Sequence, residues 1–326
     1  MAGPLPSNLS PLAGFFLHSR FHYRGMTALS PIITKGVHNL ERNLADKVDR
    51  LKNHIASMGK VAILLSGGVD STFLAEVSRR TLGSNAIAIT FRSSLAPAKE
   101  AEEAVRWAEL AKMKHYLIDS DEFGVDQVRA NGPDRCYYCR KHRQELAKAW
   151  AEKTGWDGTF CDGANADDLS DYRPGLRAAD EAGVRHPLAE AGFSKAEIRS
   201  AAKAMGLECW NRPSSPCLAS RFPYGFPLSA ELLKMVEASE RSLREMGFSE
   251  LRVRCFPHGL AVVEVSPEEM DRAWSLRHDI ASALRGFGFS FVAMDLEGHV
   301  GGKLNRLMQK ESTSPPGDQN FKGAPR

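Results

Sequence analysis

Leu44, Val48, Leu51 and Ile55 recur at helical spacing through residues 41–58, and polar residues fill the positions between them. That period predicts an amphipathic helix. The next apolar run, VAILLS at 61–66, shows no alternation and reads as a strand buried on both faces. A helix from about 70 to 82 follows, then a second buried strand, NAIAIT at 85–90. A helix near 98–113 and a short strand at 115–118 continue the alternation. Strands separated by helices argue for a parallel sheet covered by helices.

The pattern then becomes less regular. A loop at 120–133 leads to a helix near 134–153, and GTFCDG at 158–163 reads as another strand. The helix at 194–207 opens with Ser194 and places Glu197 three residues later, a capping box. Residues 211–228 (NRPSSPCLASRFPYGFPL) are too rich in Pro and Ser for a long regular element and read as a linker or site loop. Beyond them an amphipathic helix precedes the strands LRVRCF and LAVVEV, joined by a short turn at 257–259. A helix over 267–285 and a strand at 289–296 complete an α-β-β-α-β order. The expected organisation is an unstructured tail over 1–40, an α/β domain over 41–210, and the site loop at 211–228. A smaller α+β domain over 229–305 and a second tail over 306–326 follow.

Composition narrows the class. The chain has 326 residues, 43% hydrophobic and 25% charged, as in ordinary globular proteins. It has no apolar run of membrane-spanning length, so no membrane partner is expected. Lys and Arg number 43 against 40 Asp and Glu. Residues 1–40 carry Arg20, Arg24 and Lys35 and no acid, and residues 306–326 carry four bases and two acids. The intervening core holds 36 bases against 38 acids and lacks the basic excess of a domain that grips a nucleic-acid backbone. Six cysteines in a chain of this length form no disulfide scaffold, which points to a reducing cytoplasm. The acid-free start faintly resembles a transit peptide, but its arginine spacing is poor, and Met26 is an alternative start.

The chemistry begins at SGGVDS, residues 66–71, between a strand and a helix. Gly67 and Gly68 let the backbone approach an anion. The N–H groups of the helix start then face negative charge, and Ser66 and Ser71 add hydroxyl donors. Asp70 is out of place in a purely anion-binding loop; a magnesium ion bridging it to phosphates explains it. The lysine of a Walker A loop is missing. ANADDLSDYRPG, 164–175, follows the strand GTFCDG, and in a parallel sheet ligands bind beyond the carboxyl ends of strands. Asn165, Asp167, Asp168 and Arg173 are therefore expected on the same rim, Asp168 or Asp171 near the metal and Arg173 near a phosphate. A solvated Asx-rich turn is the alternative.

Cys136 and Cys139 form a C-x-x-C at a predicted helix start, and Cys217 lies in the irregular loop. Such a set binds zinc, binds an iron–sulfur cluster, acts in redox exchange, or is three unrelated thiols. Three thiolates would leave one iron of a [4Fe–4S] cluster open to an external group. Cys161, Cys209 and Cys255 lie in apolar segments and read as core residues.

SGGVDS after an apolar strand resembles the PP-loop ATP pyrophosphatases of the adenine-nucleotide α-hydrolase fold, which implies cleavage between the α and β phosphates of ATP. It also implies adenine near Thr90–Arg92, held mainly by backbone. SGGVDS, PDRCYYC, NADDLSDYRPG, WNRPSSPCLASRFPYG, RVRCF and DLEGHVGGKLN occur in order over 41–305 and together resemble the LarE sulfurtransferases of nickel-pincer nucleotide synthesis. That resemblance implies adenylation of a carboxylate of pyridinium-3,5-biscarboxylic acid mononucleotide, then displacement of AMP by sulfur. It implies ATP and Mg2+, Asp70 and Cys217 as catalytic residues, and Arg252 and Arg254 at the substrate phosphate. Ser66, Gly67, Gly68, Asp70, Ser71, Thr90, Asn165 and Arg173 would hold ATP. Cys136, Cys139 and Cys217 match the family's three-cysteine version, which holds a [4Fe–4S] cluster and draws on a sulfide donor. In the version that sacrifices a cysteine, Trp stands at the position of Cys136, and the reactive cysteine at that of Pro216. The family tends toward trimers or hexamers, so a homo-oligomer is expected. Departures are His299–Val300, where the family has an aromatic and Arg with Lys303 as a partial replacement, and Ala164 in place of Thr. A tRNA thiolase of the PP-loop class and a non-catalytic adenine-nucleotide-binding regulator share the loop and stand as alternatives.

Overall fold

A computed structural model of the chain describes residues 31–169, 174–213, 215–300 and 303–306, with side chains from Asn43 onward. The chain divides into two units, Met1–Asn43 and Leu44–Arg326, and the second carries everything described below except the start of the first helix. Helix α1 (Pro31–Met58) begins inside the stretch 1–40 expected to lack structure. Proline suits a first helical turn, where its missing N–H would have no partner. The tails expected before Pro31 and beyond Arg306 lie outside the described residues. Leu51 and Ile55 of the α1 stripe are fully buried, and Leu44 and Val48 pack beside them.

Four strands form the first sheet: β1 (Val61–Leu64), β2 (Ala86–Ser93), β3 (His115–Ser120) and β4 (Thr159–Cys161). Their order is β3-β2-β1-β4 and every pair is parallel, as the alternation of strands and helices predicts. Between them run α2 (Val69–Leu82), α3 (Ala98–Leu110), the single turn α4 (Asp126–Arg129) and α5 (Arg135–Thr154). After β4 come the short α6 (Ala166–Leu169), α7 (Pro174–Glu181) and α8 (Pro187–Glu190), none predicted as helices. They carry few apolar residues each, so no helical period is visible. Helix α9 (Lys195–Ala204) has the predicted capping box: Glu197 N donates to Ser194 Oγ at 3.3 Å, and Ser194 N to Glu197 Oε2 at 2.8 Å.

The second sheet has the order β5 (Leu251–Phe256), β6 (Leu260–Val265), β7 (Phe291–Met294), antiparallel then parallel. One face packs on α10 (Ala230–Glu245) and on the segment expected as one helix over 267–285. That segment is two helices, α11 (Met270–Ser275) and α12 (Arg277–Gly286), separated at Leu276, whose ψ of 10° leaves the helical range. The core beneath this sheet also takes Leu218, Ala219, Phe222 and Leu228 from the Pro/Ser-rich stretch 211–228. Cys139 and Cys217 pack against the same core.

Candidate active site

The phosphate loop sits where β1, flanked by β2 and β4, ends at the start of α2. Gly67 has φ +82°, and a Cβ there would stand 2.5 Å from the Glu100 carbonyl oxygen. Glycine is required on both counts. The loop holds its own shape: Ser66 N donates to Ser71 Oγ at 3.1 Å, the two serine hydroxyls lie 3.0 Å apart, and Ser71 Oγ donates to Gly68 O at 3.2 Å. Ser66 and Gly68 remain exposed, so the N-terminus of α2 is open to an anion.

Asp70 lies in the first turn of α2. Its Oδ1 is buried without a hydrogen-bond partner, and its Oδ2 accepts from Asn165 Nδ2 at 3.5 Å. Burial pushes the carboxyl above the usual range, against the pull of Lys195; Asp168 adds to the rise and Arg199 opposes it. A buried carboxylate oxygen aimed at no donor, with Asp168 close by, is what a hard cation would satisfy. Asn165 is fully buried, and its Oδ1 accepts from Asp167 N at 3.0 Å and Asp168 N at 3.3 Å. Asn165 thus links Asp70 of the first motif to Asp167 and Asp168 of the second. Gly163 makes it possible, since a Cβ there would meet Ser71 N at 2.7 Å. Arg173 and Asp171 lie outside the described residues.

Behind the rim, Asp162 accepts from Ala164 N at 3.0 Å, meets His186 Nδ1 at 2.6 Å, and pairs with Arg140 of α5. One buried carboxylate thus joins the rim beside the phosphate loop to the helix that carries Cys136 and Cys139. Thr90 is buried, its hydroxyl donating to Leu65 O at 2.7 Å and meeting His115 Nε2 at 2.9 Å. With its side chain so engaged, only the backbone of Thr90 is left to meet a nucleotide.

An open cavity of about 930 Å³ begins at Ser66 and Thr90 and runs past Glu100, Arg140 and Arg143 to Lys234 on α10. Its size suits a nucleotide. Arg143 connects it to the thiols: its Nε donates to the buried Glu122 Oε1 at 2.8 Å, and its charge acts on both Cys139 and Cys217. Glu100 faces this cavity, bonded to Ser215. Burial pushes its carboxyl above the usual range, against the opposing Ser215, Arg143, Arg221 and Arg212.

All six cysteines are free. Cys161, Cys209 and Cys255 are buried, as expected of core residues. Cys136, Cys139 and Cys217 act on one another electrostatically, and burial pushes the Cys139 thiol up to about 11 and raises that of Cys217 as well. Arg135 faces Cys136 and Cys217; its Nη2 lies 3.8 Å from Cys136 Sγ, and its Nη1 donates to Ala219 O at 3.1 Å. Three free thiols opposed by two arginines fit an anionic metal–sulfur group in donor chemistry. Among the described residues, however, no three His, Cys, Asp or Glu side chains already stand gathered as a metal site.

The strand alternation that put Arg252 and Arg254 on one face holds, but their partners differ. Arg254 is buried and bidentate to Glu264, at 2.9 and 2.8 Å, and donates to Ser220 O at 2.7 Å. Arg252 Nη1 donates to Leu251 O at 2.6 Å; burial and the neighbouring Arg221 push its guanidinium down to about 10. His299 and Lys303, which stand where the family motif differs, both approach Glu264, at 3.2 and 4.0 Å. Sequence reasoning missed Arg221 and its buried partner Glu240, and also Glu100, Arg143, Lys195 and Arg212. Each reaches the site from a distant segment, and no local pattern marks it.

The asparagine synthase family model matches residues 40–129, which include the phosphate loop. An uncharacterized protein of Synechocystis sp. is 38% identical over 82% of this chain and 100% of its own length. The pyridinium-3,5-bisthiocarboxylic acid mononucleotide synthase of Lactiplantibacillus plantarum is 32% identical over 82% of this chain and 96% of the enzyme. An uncharacterized protein of Methanocaldococcus jannaschii is 29% identical over 77% of this chain and 96% of its own. Among the described residues no helix is long and apolar enough to cross a membrane. Loop, sheet and relatives agree: the chain is an ATP-using enzyme and belongs to the LarE-type family of PP-loop ATP pyrophosphatases.

Proposed function

We propose that this chain adenylates a carboxylate of pyridinium-3,5-biscarboxylic acid mononucleotide and replaces the AMP with sulfur, a step of nickel-pincer nucleotide synthesis. The observation that supports it most is Arg143, which lines the cavity of the phosphate loop and also faces Cys139 and Cys217. Activation and sulfur delivery then meet in one place. Gly67, Gly68, Ser66 and Ser71 would hold the phosphates, and Arg173, outside the described residues, is assigned to them as well. Asp70 and Asp168 would hold Mg2+, which would supply compensation for the charge of the departing pyrophosphate. The substrate carboxylate attacks the α phosphorus, and the resulting mixed anhydride makes AMP the leaving group at the carbonyl carbon. Arg252 is the residue for the substrate phosphate, since Arg254 is already committed to Glu264.

Cys136, Cys139 and Cys217 would hold a [4Fe–4S] cluster, which when bound would supply sulfide for the displacement. The protein's own contribution there is charge, with Arg135 and Arg143 favouring the anionic form of the thiols. The test is pyrophosphate release with the mononucleotide and ATP, joined to iron and sulfide analysis of anaerobically purified protein. Cys217→Ser is expected to lose the iron–sulfur absorbance and keep pyrophosphate release. Absorbance that persists in that variant ends the three-cysteine assignment, and wild-type protein that releases no pyrophosphate ends the adenylation reading.

A further inference from the structure

The segment that carries Cys217 is attached to the phosphate loop by one side chain. Arg212 Nη1 donates to Gly67 O at 3.1 Å, and its Nη2 lies 3.1 Å from Glu103 Oε2 on α3. The backbone of Arg212 is itself held, because Arg199 Nη2 donates to Arg212 O at 2.7 Å and Arg199 Nη1 to Trp210 O at 3.0 Å. Further along, Ser215 bonds Glu100, whose own carbonyl lies against Gly67. Beyond Cys217, Leu218 N donates to Leu95 O at 2.7 Å. Pro213 and Pro216 restrict the backbone between these attachments.

The carbonyl that Arg212 holds belongs to the peptide whose N–H is on Gly68; Gly68 is exposed at the open start of α2, and its N–H makes a long bond of 3.4 Å to Ser66 Oγ, which an anion can replace. A peptide unit is planar, so its two ends turn together. An anion drawn to the Gly68 N–H and a guanidinium on the Gly67 carbonyl both favour one orientation of that plane. Removing either one weakens the hold on the other. Neither the family resemblance nor the relatives assign Arg212 a role.

We propose that Arg212 is a positioning residue that sets Cys217 relative to the phosphate loop, so that adenylation and sulfur delivery are coupled. This rests on the function proposed above. Without the coupling, the mixed anhydride still forms but is hydrolysed: water replaces sulfur at the carbonyl carbon, the carboxylate is regenerated, and AMP leaves unchanged.

Wild type, Arg212→Ala and Arg212→Lys, reconstituted in the same way, are compared for pyrophosphate released and for thiocarboxylate formed per AMP. Arg212→Ala is expected to keep pyrophosphate release within about threefold while thiocarboxylate per AMP falls about tenfold or more, since small misplacements at a reacting centre are costly. Arg212→Lys, which still donates to Gly67, is expected to recover part of the yield. A merely structural role would lower both quantities together, and that result, or no change in either, overturns the proposal. Glu103→Gln removes the carboxylate that orients Arg212 without touching Gly67, and serves if Arg212→Ala fails to fold; its yield per AMP is expected to fall between those of wild type and Arg212→Ala, and an unchanged yield counts against the coupling.

A second measurement needs no turnover. Iodoacetamide alkylation of Cys217 in cluster-free protein is followed with and without α,β-methylene ATP. The nucleotide is expected to slow alkylation in wild type and to have no effect in Arg212→Ala, while nucleotide binding persists in both. An equal effect in both proteins reflects shielding and overturns the coupling even if the adenylation reading has failed on its own test.

Discussion

Asp70 shows how a residue can oppose folding and serve chemistry. Its Oδ1 is buried and unpartnered, and burial is the largest cause of the upward push on its carboxyl. An unpaired buried carboxylate oxygen carries its desolvation cost without return. Asp70→Asn removes the charge at nearly constant shape and leaves an oxygen to accept from Asn165. Its melting temperature is expected to rise, by the equivalent of about 1 kcal/mol. Pyrophosphate release is expected to fall by about a hundredfold or more, because the charge meant for the metal is gone. A thermal melt and a pyrophosphate assay on one preparation check both; a variant that is less stable and fully active would remove Asp70 from the site. Asp70 was legible because SGGVDS is contiguous and a carboxylate among anion donors invites a cation. Lys195 and Arg199 act on it from the start of α9 and were not legible. On an amphipathic helix a Lys and an Arg look like solvent-facing residues, and only the fold turns them toward Asp70.

Strand β5 separates two arginines that its sequence presents as equals. Period-two alternation puts Arg252 and Arg254 on one face, but it says nothing of what the neighbouring strand offers. Glu264 on β6 is 2% exposed and is paired in both oxygens by Arg254, itself 8% exposed. Arg252 instead stands near Arg221, Arg254 and Arg244, with Glu240 as the opposing charge. Arg254→Met is therefore expected to destabilise by roughly 3 kcal/mol, the low end for a broken buried pair, because His299 and Lys303 remain near Glu264. Arg252→Met is expected to change stability little and to raise KM for the mononucleotide. Urea denaturation and steady-state kinetics separate the two; equal destabilisation would mean that Arg252 is a structural residue like its neighbour. Elements with a long apolar period were legible throughout, as in α1, α2 and the buried strands. The single-turn helices after β4 and the break at Leu276 were not, because a turn or two of helix is too short to establish a period.

At the scale of the molecule, the parallel sheet and its rim followed from strand–helix alternation, whereas the setting of the thiols did not. Pro and Ser made 211–228 look like a linker or site loop, and its apolar residues Leu218, Phe222 and Leu228 are too scattered to signal that they fill the second core. Cys139 and Cys217 lie on that core, so the thiols inherit its rigidity. The two cores also share a pH liability. Cys161 is fully buried in the first, and burial pushes its thiol up to about 12. Cys255 is 1% exposed in the second, and burial pushes it up to about 11. An unfolded thiol ionises near its reference value of 9.0, so above that pH the unfolded chain binds fewer protons than the folded one. Stability must then fall as pH rises, by at most about 1.4 kcal/mol per pH unit for each thiol. It is fully present below pH 9. The comparison runs from pH 9 to 10, where Arg140 and Arg252, pushed down to about 10, also begin to titrate but do so alike in both proteins, so their contribution cancels between wild type and variant. The double variant Cys161→Ala, Cys255→Ala is expected to lose some stability at pH 7, since small cavities open in both cores. Its loss between pH 9 and 10, followed by urea denaturation under reducing conditions, is expected to be shallower than that of wild type. Parallel curves for the two proteins would assign the alkaline slope to Cys139, Cys209 and Cys217, whose thiols burial also raises.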